Sequence, residues 1–210
     1  FTALTCRSMD VWKKARKEKN FKEFLPFLKK VVDANRKKAD LIGFKDHPYD
    51  ALLDLYEPGM KTETVNRIFS ELKGFLVELI KRISARKPVD EKFLYDNYPK
   101  ETQLSLCKTL LEKMGFDWNR ERLDLSTHPF CSMSQPDDCR ITTRILDDYI
   151  FSCILTVMHE AGHALYDLGL PKEQFGSPLA EGVSMGIHES QSRFWETRIG
   201  LSLPFWKFLL

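Results

Sequence analysis

The sequence has no long apolar run and no paired cysteine pattern, and each absence excludes a class of protein. No stretch reaches the roughly 18 to 20 consecutive apolar residues of a membrane-spanning helix, and the first residues do not resemble a signal peptide. The 5 cysteines include no C-x-x-C pair, which argues against a disulfide framework or a thiolate zinc finger. We therefore expect reduced thiols, a cytoplasmic location and no membrane partner.

Phosphate-binding glycine loops and a strong charge excess are absent as well. There is no G-x-G-x-x-G segment, no Walker loop and no repeat of fixed period, and the net charge is only +2. Basic residues do outnumber acidic ones by 11 to 4 over residues 12–40, but apolar residues interleave with them at helical spacing. We interpret this region as a solvated helix face and expect no nucleic-acid partner.

The sequence does contain helical periodicity over most of its length. Apolar residues recur every three or four positions in residues 20–44, 61–88 and 99–116. Gly43 and Gly115 stand where two of these helices would end. The pattern predicts a mainly α, multi-helical fold.

The pattern changes at about residue 116. Residues 116–146 contain 2 prolines, little helical periodicity and the β-branched segment ITTRI, which together predict a loop with a short β-strand or hairpin. Asp147 or Asp148 is then expected to cap a long helix that runs to about Leu168. A further helix is predicted over residues 187–200.

The long helix carries two histidines four residues apart, in the segment HEAGH. At about 100° per residue, His163 lies about 40° from His159 around the helix, and Glu160 about 100°. The apolar residues of the helix fall on the other side: Ile150, Ile154, Met158, Ala161, Leu165 and Leu168. Two imidazoles on one stripe can bind one zinc ion, and a carboxylate beside them can take a proton from a water that the metal activates.

The alternative is a chance string on a core helix, but the composition gives only roughly 0.01 chance occurrences of H-E-x-x-H. A third ligand must come from elsewhere. The metzincin extension is excluded, because Tyr166 and Gly169 stand where that motif requires glycine and histidine. Glu181, His188 and Glu189 remain as candidates. The last two are adjacent on a predicted helix and point about 100° apart, so we expect only one of them to be a ligand.

Three segments taken together resemble one family. HEAGH, the downstream SMGIHESQSRFWE and the upstream DDCRITTR, with its D-x-R-x-T box, closely resemble the thermostable carboxypeptidase Taq family of metallocarboxypeptidases. STHPF and YDALLDLYEPGM are also similar to that family. The resemblance implies a single helical peptidase domain that includes residues 1–210. Its parts would be a helical N-terminal region (1–115), a loop and strand region (116–146) and the metal-binding helices (147–210).

Carried over by position, the resemblance implies that His159, His163 and Glu189 bind the metal. It implies that Glu160 is the general base. It also implies pocket or supporting roles for a further set of residues: His128, Asp138, Arg140, Thr142 and His188.

The implied activity is metal-dependent hydrolysis of C-terminal residues from peptides with broad specificity, by a homodimer that uses Zn²⁺, with Co²⁺ or Mn²⁺ as alternatives. The cations nearest in sequence to hold a substrate carboxylate are Arg140 and Arg144, although either could instead pair with a neighbouring aspartate. Two other functions remain open. The chain could be another H-E-x-x-H peptidase, acting within peptides or at the N-terminus, or an inactive helical interaction module.

The sequence departs from the family in its extent. Family members are longer and contain a G-x-x-Q-D segment and an arginine-bearing I/V-R-x-x-A-D segment further downstream, neither of which occurs in these 210 residues. The resemblance implies that this arginine holds the terminal carboxylate of the substrate. We therefore expect the chain to be a piece of a longer protein, with N- and C-terminal parts of the family fold outside it.

Overall fold

The chain divides into two compact units, Phe1–Ala85 and Arg86–Leu210. The computed structural model describes residues 1–209. Most of these residues are helical, as the sequence predicts. That they belong to one larger peptidase domain stays a prediction.

The first unit consists of four helices: α1 (Thr2–Lys17), α2 (Phe21–Ile42), α3 (Pro48–Leu53) and α4 (Thr62–Ser84). The predicted end of α2 at Gly43 is confirmed, with a backbone φ of 87° that favours glycine. Asp50 joins α3 to α4, because its Oδ1 accepts hydrogen bonds from the Thr62 backbone N–H at 2.8 Å and from the Thr62 hydroxyl at 2.5 Å.

The apolar stripe predicted within residues 61–88 does form a helix, yet none of the residues of α4 is buried. Six of its large apolar side chains are between 44% and 65% exposed: Ile68, Phe69, Leu72, Phe75, Ile80 and Ile83. A face of this kind usually marks a surface that another element or chain covers.

The second unit contains three short 3₁₀ helices, Lys92–Leu94, Lys172–Gln174 and Pro178–Ala180. Its other elements are α5 (Lys100–Met114), β1 (Glu121–Leu125), β2 (Cys131–Gln135), β3 (Asp138–Thr143), α6 (Ile150–Leu168), α7 (Met185–Arg193), a π-helical segment (Phe194–Ile199) and α8 (Leu203–Leu209). The limits predicted for α5 are confirmed, and Gly115 ends it in the left-handed conformation. Helix α6 is the centre of this unit, and its buried side includes Ile154, Val157 and Met158.

The predicted strand or hairpin before α6 is present, but it belongs to a three-stranded sheet of order β1-β3-β2. Strands β2 and β3 form the antiparallel hairpin, and β1 pairs with β3 in parallel. The sequence did not predict β1, because ERLDL contains three charged residues and no β-branched residue. Strand β3 packs on α6 through Cys139 and Ile141, which are fully buried.

The predicted N-terminal cap of α6 was wrong. The helix begins at Ile150 after Tyr149, and no side chain caps it, whereas Asp147 or Asp148 was expected to do so. Its end at Leu168 is confirmed. None of the described helices combines the length and the apolar composition that crossing a bilayer requires.

Candidate metal centre

Helix α6 separates its two sides as the angular count predicts. Ile154, Met158 and Ala161 are at most 1% exposed and face the core. The side chains of His159 and His163 keep 21% and 13% of their surface exposed. The two imidazoles therefore lie at the boundary between core and solvent.

Helix α7 brings Glu189 to the same place. The helix begins at Met185 and is capped by Ser184, whose hydroxyl accepts a hydrogen bond from the Ile187 backbone N–H. The Glu189 Oε2 atom lies 3.6 Å from the His159 Nε2 atom and 3.3 Å from the His163 Nε2 atom. Among the described residues, these three are the group of histidine, cysteine and acidic side chains whose donor atoms lie within 4.8 Å of one another.

The spacing of these three donor atoms fits a metal ion. Two donors that each lie about 2.1 Å from a tetrahedral zinc ion are about 3.4 Å apart. The observed separations of 3.3 and 3.6 Å bracket that value and exceed a normal charged hydrogen bond. The Glu189 side chain is 52% exposed, which leaves the centre open on one side.

Each histidine also has a hydrogen-bonding partner at its other ring nitrogen, Nδ1. The His159 Nδ1 atom lies 2.8 Å from the Glu196 Oε2 atom, which also accepts a 2.7 Å hydrogen bond from Arg193. The His163 Nδ1 atom lies 2.6 Å from the His188 Nδ1 atom. Partners at Nδ1 orient both rings so that their Nε2 atoms face Glu189.

Glu196 and Arg193 were not predicted from the sequence. Glu196 lies in the π-helical segment that follows α7, and helical periodicity does not predict such a widened turn. One signal was available: Glu196 follows Glu189 by seven residues, which places both on one helix face.

Glu160 is only 6% exposed, and burial raises its pKa to about 6. A carboxyl group with a pKa near neutrality can both accept and return a proton. Burial also lowers the pKa of His163, and the nearby His188 and His159 lower it further. A neutral imidazole is the form that binds a metal.

A cavity of about 360 Å³ opens beside His159 and Glu160. Its remaining lining residues are His128, Pro129, Tyr149, Phe151, Ser152, Leu155, Thr156, Arg193 and Glu196. The cavity thus combines apolar walls, one buried carboxyl group and one arginine.

The residues of the D-x-R-x-T box lie in different surroundings. Arg140 donates two hydrogen bonds to Asp138, at 2.7 and 2.8 Å, and both lie outside the cavity lining. Thr142 is buried, and its hydroxyl lies 2.7 Å from the Ser126 hydroxyl and accepts a hydrogen bond from the Phe130 backbone N–H. Thr142 therefore fixes the loop that places His128 in the cavity wall.

The other candidates from the sequence lie elsewhere. Glu181 is exposed on the segment before α7 and is not part of the three-residue group. Arg144 is exposed and does not line the cavity. The arginine that lines the cavity is Arg193.

The unit has H-E-x-x-H on its central helix and a glutamate on a later helix. This arrangement is typical of the H-E-x-x-H class of metal-binding proteins. A family model described as Carboxypeptidase Taq (M32) metallopeptidase matches residues 1–210. The chain belongs to this family.

Curated and solved relatives agree with this assignment. The chain is 43% identical to thermostable carboxypeptidase 1 of Thermus thermophilus, over 93% of the chain and 40% of that protein. It is 36% identical to carboxypeptidase 1 of Bacillus subtilis, over 98% of the chain and 41% of that protein. The M32 carboxypeptidase structure from Deinococcus radiodurans aligns with a TM-score of 0.87 at 35% identity, over 97% of the chain and 41% of that structure. The chain thus spans about two fifths of the length of these relatives.

Proposed function

We propose that the protein is a metal-dependent carboxypeptidase that hydrolyses C-terminal residues from peptides. The observation that supports this most directly is the convergence of three donor atoms, from His159, His163 and Glu189, at separations of 3.3 and 3.6 Å among the imidazole–carboxylate pairs. Family membership supports the same activity.

In this proposal His159 and His163 bind a divalent cation through their Nε2 atoms and Glu189 binds it through a carboxylate oxygen. Imidazole nitrogens with one carboxylate favour Zn²⁺, and Co²⁺ or Mn²⁺ fit the same donors. When bound, such a cation acidifies a water molecule and polarises the carbonyl group of the scissile bond.

The remaining chemistry belongs to residues of the chain. Glu160 takes the proton of the attacking water and passes it to the leaving amine, a role that suits a pKa of about 6. Glu196 holds the His159 ring in place through its Nδ1 atom, 2.8 Å away. Tyr149, Phe151 and Leu155 provide apolar walls against which a substrate side chain can pack.

The test compares two peptides that differ only at the C-terminus, one free and one amidated, with the zinc-loaded protein that contains this chain. Release of the last residue from the free peptide alone is the expected result, because a carboxypeptidase requires the terminal carboxylate. Cleavage within both peptides would show an endopeptidase, and release from the N-terminus an aminopeptidase. Bound zinc without metal-dependent hydrolysis would overturn the proposal and leave an inactive helical module.

Two further assignments belong to the proposal. The homodimer implied by the family resemblance is expected in sedimentation of the protein, and a purely monomeric species would contradict it. A cytoplasmic location is supported by five free cysteines, including Cys131 and Cys139, whose sulfur atoms lie 3.6 Å apart and form no disulfide bond. Fractionation of cells tests the location.

A further inference from the structure

A chain of two hydrogen bonds extends from His163 away from the candidate metal centre. The His163 Nδ1 atom lies 2.6 Å from the His188 Nδ1 atom, and the His188 Nε2 atom lies 2.7 Å from the Asp167 Oδ1 atom. The side chains of His188 and Asp167 are 21% and 15% exposed, so bulk water has little access to these two hydrogen bonds.

The directions of these two hydrogen bonds follow from counting protons. A carboxylate accepts hydrogen bonds and donates none, so the His188 Nε2 atom must carry the proton shared with Asp167. A neutral imidazole has a single N–H, and the His188 Nδ1 atom is then an acceptor. His163 must therefore donate through its own Nδ1 atom, which leaves its Nε2 lone pair free to face Glu189.

The His188 ring is held in this orientation by its surroundings. The Tyr166 ring lies against it edge-on, with ring centres 5.1 Å apart and an angle of 84° between the planes. Gly182 lies close to both rings, because an added Cβ there would lie 3.2 Å from Tyr166 Cε1 and 3.3 Å from His188 Cδ2. The Tyr166 hydroxyl accepts a 3.2 Å hydrogen bond from the Val183 backbone N–H, which fixes this segment against the ring.

We propose that Asp167 is a positioning residue that acts through His188 to keep His163 in the tautomer whose Nε2 atom can bind a metal. The inference rests on the metal site proposed above. His159 uses a shorter version of the same device, since Glu196 contacts its Nδ1 atom directly at 2.8 Å. Partners of this kind change metal affinity by about 10- to 100-fold in other proteins.

A double-mutant cycle on zinc affinity tests the pathway. The dissociation constant for Zn²⁺ is measured by competition with a chromogenic chelator for the wild type, Asp167→Asn, His188→Phe and the double variant. Each single change should weaken binding by about 10- to 100-fold. The double variant should bind Zn²⁺ no more weakly than the single variant with the lower affinity, because Asp167 can influence His163 only through His188. Asp124→Asn, which removes an exposed partner of Arg122, should stay within about 2-fold of the wild type.

Two results in the cycle would overturn the inference. If the two effects multiply in the double variant, Asp167 acts on the metal independently of His188. If Asp167→Asn binds Zn²⁺ as tightly as the wild type, Asp167 has no positioning role.

The tautomers can also be measured without metal, by ¹⁵N NMR of the histidine rings of the wild-type chain at about pH 8, where ordinary imidazoles are neutral. The expected pattern is a proton on His163 Nδ1 and on His188 Nε2. A proton on His163 Nε2 would contradict the inference even in a chain that binds no zinc. This measurement needs no variant to fold, and it is independent of peptidase activity.

Discussion

Gly162 in α6 lies directly against the backbone of Ser192 in α7. A Cβ atom at Gly162 would come within 2.6 Å of the Ser192 Cα atom and 2.9 Å of the Gln191 carbonyl oxygen. Gly162 precedes His163 in α6, and Ser192 lies one turn after Glu189 in α7. The close approach of these two backbones is therefore what brings Glu189 near the two histidines.

Gly162→Ala should destabilise the protein and weaken metal binding together. The added methyl group must push α7 away, and overpacking of this kind costs about 1–3 kcal/mol. Thermal unfolding and a Zn²⁺ titration measure the two effects. Gly74→Ala is the matched control, because nothing lies within 4 Å of the added atom on α4, and it should stabilise the helix by roughly 0.5–1 kcal/mol. Equal stability of the two variants would refute the role of Gly162.

Glu160→Gln should bind zinc almost as tightly as the wild type but lose hydrolysis by about 10²- to 10⁴-fold, because the amide cannot take a proton from water. Metal content and peptide turnover of the same preparation separate the two effects. Glu173→Gln, at an exposed position away from the cavity, serves as the control and should keep normal turnover. Normal turnover by Glu160→Gln would show that another group is the base.

Glu196→Gln should weaken Zn²⁺ binding by about 10- to 100-fold, because the amide no longer enforces a proton on the His159 Nδ1 atom. Competition with a chelator measures the change. Glu112→Gln, which alters an exposed partner of the Trp118 indole, is a glutamate control with no expected effect on affinity. If both variants bind zinc alike, the 2.8 Å contact between Glu196 and His159 has no part in the metal site.

Asp50 should contribute to the free energy of unfolding of the first unit at neutral pH, and this contribution should be lost in acid. The hydrogen bonds from Thr62 lower the pKa of Asp50 below its ordinary value of 3.8. A lowered pKa means that the ionised group stabilises the folded state above pH 3.8 and that this contribution is lost as the pH falls toward the folded-state value. Asp50→Asn should therefore be less stable than the wild type at pH 7, and the difference should shrink near pH 3. Unfolding curves at the two pH values test this, and a constant difference would contradict it.

The features predicted correctly from the sequence are those that depend only on residues near each other in the chain. Gly43 and Gly115 end their helices because both adopt a positive φ, of 87° and 95°. The polar stripe with His159 and His163 follows from helical periodicity alone. Residue spacing left Glu181, His188 and Glu189 open as the third ligand, and only the family resemblance chose among them.

The features that the sequence did not predict depend on how α6, α7 and the sheet pack. The contact of Glu196 with His159 requires a π-helical segment, and the contact of Asp167 with His188 requires two helices to lie side by side. Arg193 enters the cavity for the same reason, whereas Arg140, which is nearer to α6 in sequence, pairs with Asp138.

The central claim, that His159, His163 and Glu189 form one metal site, is tested most directly by the Zn²⁺ stoichiometry of the chelator-treated protein, measured by calorimetric titration. The wild type should bind one zinc ion. His159→Ala, His163→Ala and Glu189→Gln should each lose affinity on the order of 100-fold or more, because each removes one of three protein ligands. Glu181→Gln, at the alternative glutamate that lies outside the group, should bind as the wild type does. A wild type that binds no zinc, or ligand variants that bind it normally, would contradict the account.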